Sequence, residues 1–254
     1  VVEVDKNTLE LDENGTVTIS DDIKIYDISN GEIPVCENSI PILKGHSQVQ
    51  LVSDGEKIIA AVIEDELVTT DIRVILSNNS YSSYKMSEVT VSSDTSYKVI
   101  YPDDSEAVRT SGKTVTIKYD DYENGDIITI KPIGDSGKIQ IQSLQRNYGN
   151  PEYNGTIEIR IFSDGLHIIN ELPLETYLYS VVSSEMPSNS SEEALNAMAI
   201  CARAYAYSKM EDESFEAYNA HLDDSTLCQV YNNIKATEES IKAVKDTYGI
   251  VPVY

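Results

Sequence analysis

Positive charge is scarce in this 254-residue sequence: 19 lysines and arginines stand against 43 aspartates and glutamates, a formal charge of −24. So acidic a surface repels phosphate backbones, which argues against nucleic acid as a partner. It disfavours an anionic membrane surface for the same reason. Long apolar runs are missing as well, and no stretch of about eighteen such residues is available to span a bilayer. The opening residues Val1-Val2-Glu3-Val4-Asp5 supply neither a basic nor an apolar leader segment, and no initiator methionine stands before them. The sequence therefore reads as a mature or trimmed segment whose targeting sequence is expected to have been removed. Cys36, Cys201 and Cys228 are the three cysteines, without C-x-x-C spacing, so they do not form a complete internal disulfide framework. Tryptophan is absent and 17 tyrosines carry the aromatic load, an imbalance that by itself assigns no function.

What is present is a globular composition, 41% hydrophobic and 24% charged. The length suffices for one large or two ordinary domains with a sizeable core. Up to about residue 165, short β-type runs such as Thr16-Val17-Thr18-Ile19, Gln48-Val49-Gln50-Leu51-Val52 and Ile58-Ile59-Ala60-Ala61-Val62-Ile63 alternate with turn dipeptides. Thr114-Val115-Thr116-Ile117 and Ile139-Gln140-Ile141-Gln142 continue the series. Asn14-Gly15, Asn30-Gly31, Asp54-Gly55, Asn124-Gly125, Asn154-Gly155 and Asp164-Gly165 provide the positive φ that type I′ hairpins demand. The pattern predicts an α+β protein that is predominantly antiparallel β. Residues 1–68 read as an accessory, small β-barrel-like domain. From Asp71-Ile72-Arg73-Val74-Ile75-Leu76 a second domain, 69–254, begins, with a hydrophilic β-rich insert over about 77–153.

Helical periodicity enters after Leu166, giving a helical core over 166–249. Leu174, Tyr177, Leu178, Val181 and Val182 share one face of a predicted helix at about 173–182, with Pro173 at its first position. Ser190 and Glu193 form a capping box that opens a second helix at about 191–210. Its Leu195, Met198, Ala202 and Tyr205 lie on one side, and Ala194, Ala197, Cys201 and Ala204 make an adjacent small-residue strip. A third helix is expected over 237–248. Ile250-Val251-Pro252-Val253-Tyr254 then reads as a strand whose partners lie beyond residue 254, so the fold is expected to continue.

Chemistry concentrates at Ser183-Ser184-Glu185-Met186-Pro187, read as a short link between helices. Pro187 restricts Met186 to extended geometry and stiffens the link. A carboxyl held there against apolar helix faces is expected to titrate above the usual range and to serve as general acid; a solvated helix-end glutamate is the plainer alternative. Cys201 in mid-helix reads as a packed apolar residue rather than a nucleophile. His46 and His167 have no serine or aspartate partner at a triad-like spacing. Tyr205, Tyr207 and Tyr231 offer rings for sugar stacking, though tyrosine on an apolar helix face is more often core.

Three ordered blocks resemble the stage II sporulation protein D family. They are Asn170-Glu171-Leu172-Pro173-Leu174-Glu175-Thr176-Tyr177-Leu178, then Glu185-Met186-Pro187, then Glu193-Ala194-Leu195-Asn196-Ala197-Met198-Ala199-Ile200-Cys201-Ala202-Arg203-Ala204-Tyr205-Ala206. Asp224-Ser225-Thr226-Leu227-Cys228-Gln229-Val230-Tyr231 continues the match in the family's order. The resemblance covers about 154–254, takes 71–153 as a β-rich lead-in, and leaves 1–66 outside. It implies an extracytoplasmic lytic transglycosylase, in the cell wall or on the outer face of the cytoplasmic membrane. Such an enzyme cuts MurNAc–GlcNAc glycan strands, preferably stripped of stem peptides, to 1,6-anhydroMurNAc ends. The catalytic carboxylate is then Glu185, acting as acid and then as base, with no second carboxylate needed to activate water. Ser184, Arg203, Tyr205, Gln229 and Tyr231 are the candidate substrate-binding residues, although for Arg203 pairing with a nearby carboxylate is at least as good a reading. The implied partners are peptidoglycan glycan strands and a companion amidase or sporulation cell-wall proteins.

Departures from the family pattern qualify this picture. Met198 and Ala204 stand where the family has glutamine and threonine, which leaves a non-catalytic, glycan-binding amidase enhancer as the alternative function. Some members bind zinc through a "C-D-S-T-H-C" stretch; here its first cysteine is Asp223 and its histidine is Leu227. His221 and Cys228 are the remaining weak candidates, a poor zinc set, so no cofactor is expected. The charge of −24 adds a condition: wall polymers are themselves often anionic, so binding must rest on short-range contacts to uncharged sugar faces or on a partner.

Overall fold

The structure is a computed structural model and describes residues 3–5, 8–11, 15–28, 35–37, 49–64, 71–134, 137–187, 189–210 and 212–252. Its backbone falls into two units, Val1–Thr69 with Tyr248–Ile250, and Thr70–Thr247 with Val251–Tyr254. In the first unit the alternating runs form β1 (Glu3–Asp5), β2 (Thr8–Leu11), β3 (Gly15–Asp27), β4 (Val35–Glu37), β5 (Val49–Ser53) and β6 (Ile58–Ile63). Their order is β1-β2-β3-β6-β5, with β4 also on β3, around a core that includes Leu9, Ile19, Ile25, Ala61 and Ile63. The barrel expectation is not met: among the described residues no pairing joins β5 to β1, and the strand path stays open. β3 and β6 run parallel, a departure from the antiparallel expectation, and β3 shifts register between Ile19 and Lys24. Asn30-Gly31 and His46 lie outside the described residues, as does the side chain of Cys36.

The second unit holds β7 (Asp71–Leu76), β8 (Glu88–Ser93), β9 (Tyr97–Ile100), β10 (Glu106–Arg109), β11 (Val115–Lys118), β12 (Ile127–Pro132), β13 (Ile139–Ile141) and β14 (Glu152–Tyr153). β15 (Thr156–Phe162), β16 (Gly165–Pro173), α1 (Leu174–Glu185), α2 (Glu192–Met210), β17 (Leu222–Asp223) and α3 (Glu238–Asp246) follow. The larger sheet runs β10-β9-β12-β15-β16-β7-β17, and β11-β8-β13-β14 form a smaller one. β17 pairs with β7 in parallel. Strand periodicity sends Ile72, Val74 and Leu76 of β7 and Ile168 and Leu172 of β16 into the core shared with the helices. Ile75 and Ile169 point the other way, against Phe215 and Ala220. Covered on both faces, β16 is buried continuously from Gly165 to Asn170, His167 and Asn170 included.

Asp54-Gly55 connects the paired strands β5 and β6, and Asp164-Gly165 the paired β15 and β16, as expected; Gly15 opens β3 opposite Leu11 of β2, while Asn14 lies outside the described residues. Asn124-Gly125 and Asn154-Gly155 lead into β12 and β15 without closing a hairpin. Gly155 has φ +76, and a Cβ there would sit 2.2 Å from the carbonyl oxygen of Glu171. Gly155→Ala is therefore expected to cost more than ~1 kcal/mol, seen as a lower urea midpoint.

The three predicted helices exist, with shifted ends. All five apolar positions foreseen on α1, Leu174, Tyr177, Leu178, Val181 and Val182, are buried. Pro173 closes β16 and caps α1 rather than opening it. The cap of α2 also moves by one residue, since the hydroxyl of Ser191, not Ser190, accepts the N–H of Ala194 at 3.3 Å. On α2 the buried positions are Leu195, Ala199, Ala202, Arg203 and Ala206, while Ala197 and Cys201 are exposed. Ala197 and Cys201 of the small-residue strip thus face outward and Cys201 is not packed, because the buried side of α2, turned toward α1 and α3, is rotated from the one inferred. α3 carries a capping box of its own, Thr237 with Ser240. The closing strand is not seen over its described part, 250–252.

Candidate active site at the end of α1

Glu185 is the last residue of α1, one turn of helix beyond the predicted end, and not part of a free link. Met186 is extended (φ −131°, ψ 142°) and stops the helix, as the residue before a proline is disposed to do. The last turn grips the following polar segment through consecutive side chains. Glu185 Oε1 accepts the N–H of Val230 at 2.7 Å. Ser184 Oγ accepts the N–H of Ile234 at 3.3 Å, and Ser183 Oγ accepts that of Thr237 at 3.1 Å. Ser183 is buried and also donates to Ser240 Oγ at 2.7 Å, tying the end of α1 to the start of α3. Glu185 itself is exposed, so the apolar shielding inferred for it is absent. Among the described residues Oε2 takes no hydrogen bond.

The segment is anchored from the opposite side by alternation. Gln229 and Tyr231 point inward while Val230 presents its N–H outward to Glu185. Gln229 Oε1 accepts the Tyr177 hydroxyl at 3.1 Å, and its amide donates to the Ala202 carbonyl at 3.4 Å. The Tyr231 hydroxyl donates to Asn170 Oδ1 at 2.8 Å, and its ring packs 4.8 Å from that of Tyr177. Burial pushes both phenols well above the usual tyrosine range. Asp224 adds a wholly buried ion pair with Arg146 at 2.7 Å and accepts the N–H of Ser77 at 2.8 Å. Burial pushes the Asp224 carboxyl up, opposed by Arg146 and Ser77.

Of the residues inferred as substrate contacts, Glu185 and Ser184 share the surface at the end of α1. Arg203 does not join them: it is 0% exposed and its guanidinium grips Glu175 of α1 through two hydrogen bonds of 2.7 and 2.8 Å. Gln229 and Tyr231 are likewise turned into the core, where they hold the segment rather than face solvent. Tyr205 is half-buried beside the Cys228 thiol. Sequence reasoning gave no individual role to Asn170, Ser183, Arg146 or Asp224. Asn170 left a signal, a polar residue in the middle of an apolar strand; Arg146 left none, because its partner is 78 residues away.

Residues 163–254 match the sequence model of the stage II sporulation protein family. This segment belongs to the stage II sporulation protein D family. Over 79 residues the chain is 35% identical to stage II sporulation protein D of Bacillus subtilis, covering 30% of this chain and 23% of that protein. The Bacillus amyloliquefaciens protein of the same name is 32% identical over 79 residues. An uncharacterized protein of Brachyspira hyodysenteriae is 32% identical over 105 residues, 41% of this chain and 28% of that protein. The chain thus spans about a quarter of the length of these curated relatives. No solved structure matches it significantly. The family match begins in the turn between β15 and β16, so it takes in α1, α2, α3 and the segment they hold.

At the family's metal positions the chain offers other chemistry. The Asp223 carboxylate accepts the Tyr84 hydroxyl at 3.0 Å and the Ser225 hydroxyl at 2.7 Å. Leu227 is 70% exposed in place of an imidazole. The Cys228 thiol contacts Asp223 and Tyr205 and is pushed up by burial. His221 Nδ1 accepts the N–H of Arg73 at 3.1 Å. This donor set does not fit zinc, and among the described residues no three His, Cys, Asp or Glu side chains gather as a metal site.

Burial first, and the Arg73 guanidinium second, hold the His221 imidazole below its ordinary 6.5. With the folded value below the unfolded one, the unfolded chain binds the proton more tightly. His221 therefore leaves stability unaffected above the unfolded value and lowers it as pH falls through and below it. His221→Gln is expected to flatten the acid-side fall in urea stability between about pH 7 and 5; an unchanged slope would contradict this assignment.

Proposed function

We propose that the second unit is a lytic transglycosylase acting on peptidoglycan glycan strands, with Glu185 as its single acid and base. Membership of the stage II sporulation protein D family supports a cell-wall function in sporulation. The observation that carries the finer reading is the geometry of Glu185: an exposed carboxyl on a rigid helix end, one oxygen held by Val230 and the other open. As acid, Glu185 gives its proton to the glycosidic oxygen while the bond from that oxygen to MurNAc C1 breaks. As carboxylate, it then takes the proton of the MurNAc C6 hydroxyl while O6 bonds to C1. The product is a 1,6-anhydro end, with no water consumed and Glu185 restored. The exclusion of water that such chemistry favours comes from the strand laid over the site, since the free carboxyl is solvated.

Strands without stem peptides suit a protein of charge −24, because they bring no like charge to the groove. A companion amidase would supply them. An extracytoplasmic location follows from this substrate; among the described residues no helix is long and apolar enough to cross a membrane. The test is mass spectrometry of denuded strands after incubation with the protein. Anhydro ends support the reading. Saturable binding without any such product, together with stimulation of an amidase, overturns it in favour of an enhancer.

A further inference from the structure

An open cleft of about 450 Å³ lies in the second unit between residues 81–84 and 223–227. Tyr81, Ser82 and Ser83 form one side, and Ser225, Thr226 and Leu227 the other. Asp223 is the charged residue of the lining, and its carboxylate is already engaged by Tyr84 and Ser225. Among the described residues no lysine or arginine lines the cleft. An aromatic ring and an exposed aliphatic side chain among hydroxyls, without a free counter-charge, match an uncharged ligand with apolar faces and hydroxyl edges.

Tyr81 is built to present its ring. Its backbone is left-handed at φ 54°, a conformation a bulky residue adopts only when its surroundings impose it. The imposing contacts are visible: its N–H donates to Asn78 O at 3.1 Å, and Asn78 Oδ1 accepts the N–H groups of Ser80 and Ser82. Beneath the ring lies the guanidinium of Arg146, 4.7 Å from its centroid, locked by the buried pair with Asp224. One face of the ring is thus backed by Arg146, and Tyr81, 38% exposed as a residue, lines the cleft. Its hydroxyl reaches Asn233 at 3.4 Å, beside Ile234, whose N–H is held by Ser184. The Tyr81 cleft and the Glu185 carboxyl therefore border the same polar segment, 225–234.

We propose that Tyr81 is a stacking platform for an uncharged hexopyranose ring of the glycan, held in the cleft between residues 81–84 and 223–227. This rests on the transglycosylase reading and extends its groove to a subsite outside the family-matched residues. Sugar C–H groups pack on the open ring face while Ser82, Ser83 and Thr226 meet the hydroxyl edges.

The test titrates denuded glycan strands into the full chain carrying Glu185→Gln, so that binding is read without turnover. Adding Tyr81→Asn, which tolerates the left-handed backbone, is expected to weaken binding about tenfold. Tyr81→Gly relieves the same backbone and serves as a second ring-free variant with the same expectation. Tyr81→Phe and Tyr81→Trp are expected to bind as the parent does. Parent-like binding by both ring-free variants overturns the proposal, as does a loss in Tyr81→Phe equal to that in Tyr81→Asn. If the parent binds no glycan at all, the transglycosylase reading falls and the subsite falls with it, an outcome distinct from the other two.

Discussion

Glu185→Gln is expected to lower the yield of anhydro ends by about 10²–10⁴-fold while leaving the melting temperature unchanged. The two halves of this expectation have separate causes. Glutamine keeps an oxygen where Oε1 accepts the N–H of Val230, so the hold of α1 on the polar segment persists. The side chain is exposed, so neither packing nor buried charge is lost. What disappears is the exchangeable proton that the glycosidic oxygen must receive and the C6 hydroxyl must return. Parallel melting curves and muropeptide mass spectrometry check both halves. Unchanged product from the variant would remove Glu185 from the chemistry, and a large drop in melting temperature would make it a structural residue.

Arg203→Met is expected to act on stability instead, by about 3–5 kcal/mol in urea unfolding. Arg203 is fully buried and pairs with Glu175, itself nearly buried, so removing the cation strands a carboxylate between α1 and α2. The double replacement Glu175→Leu with Arg203→Met is expected to recover most of the loss, since an apolar pair of similar volume leaves no buried charge unpaired. Glycan binding by the folded fraction should be unaltered in either variant. A normally folded Arg203→Met that no longer binds glycan would instead return Arg203 to the list of sugar contacts.

These two residues show how far the candidate site was legible. Glu185 and Arg203 both sit in blocks of high resemblance, and for Arg203 the sequence alone left a sugar contact and an ion pair with a nearby carboxylate both open. The structure separates them because position on a helix decides exposure. Glu185 ends α1, where the chain turns away into Met186 and Pro187, whereas Arg203 lies on the side of α2 that packs inward. The face of α1 was readable because a run of apolar residues at helical spacing has one way to be buried. The face of α2 was not, because alanines and a cysteine surround it and a helix so rich in small residues has no dominant apolar stripe. The pairing of Asp223 and Tyr84, 139 residues apart, had no local signal at all.

What the sequence determined by itself is local: turn glycines, strand alternation, the three helices and the stop imposed by Pro187 all follow from backbone preference and apolar spacing over a few residues. The charge of −24, and the demand it makes for short-range recognition, is also independent of the fold. Tertiary structure decided what those elements hold. Only when β7, β16 and the helices pack does the end of α1 meet Val230, 45 residues onward, and only then does a buried Arg146 come to lie under Tyr81. Side-chain direction and desolvation belong to the assembled core, because a buried hydrogen bond or ion pair gains its strength from neighbours that the chain brings together from far apart.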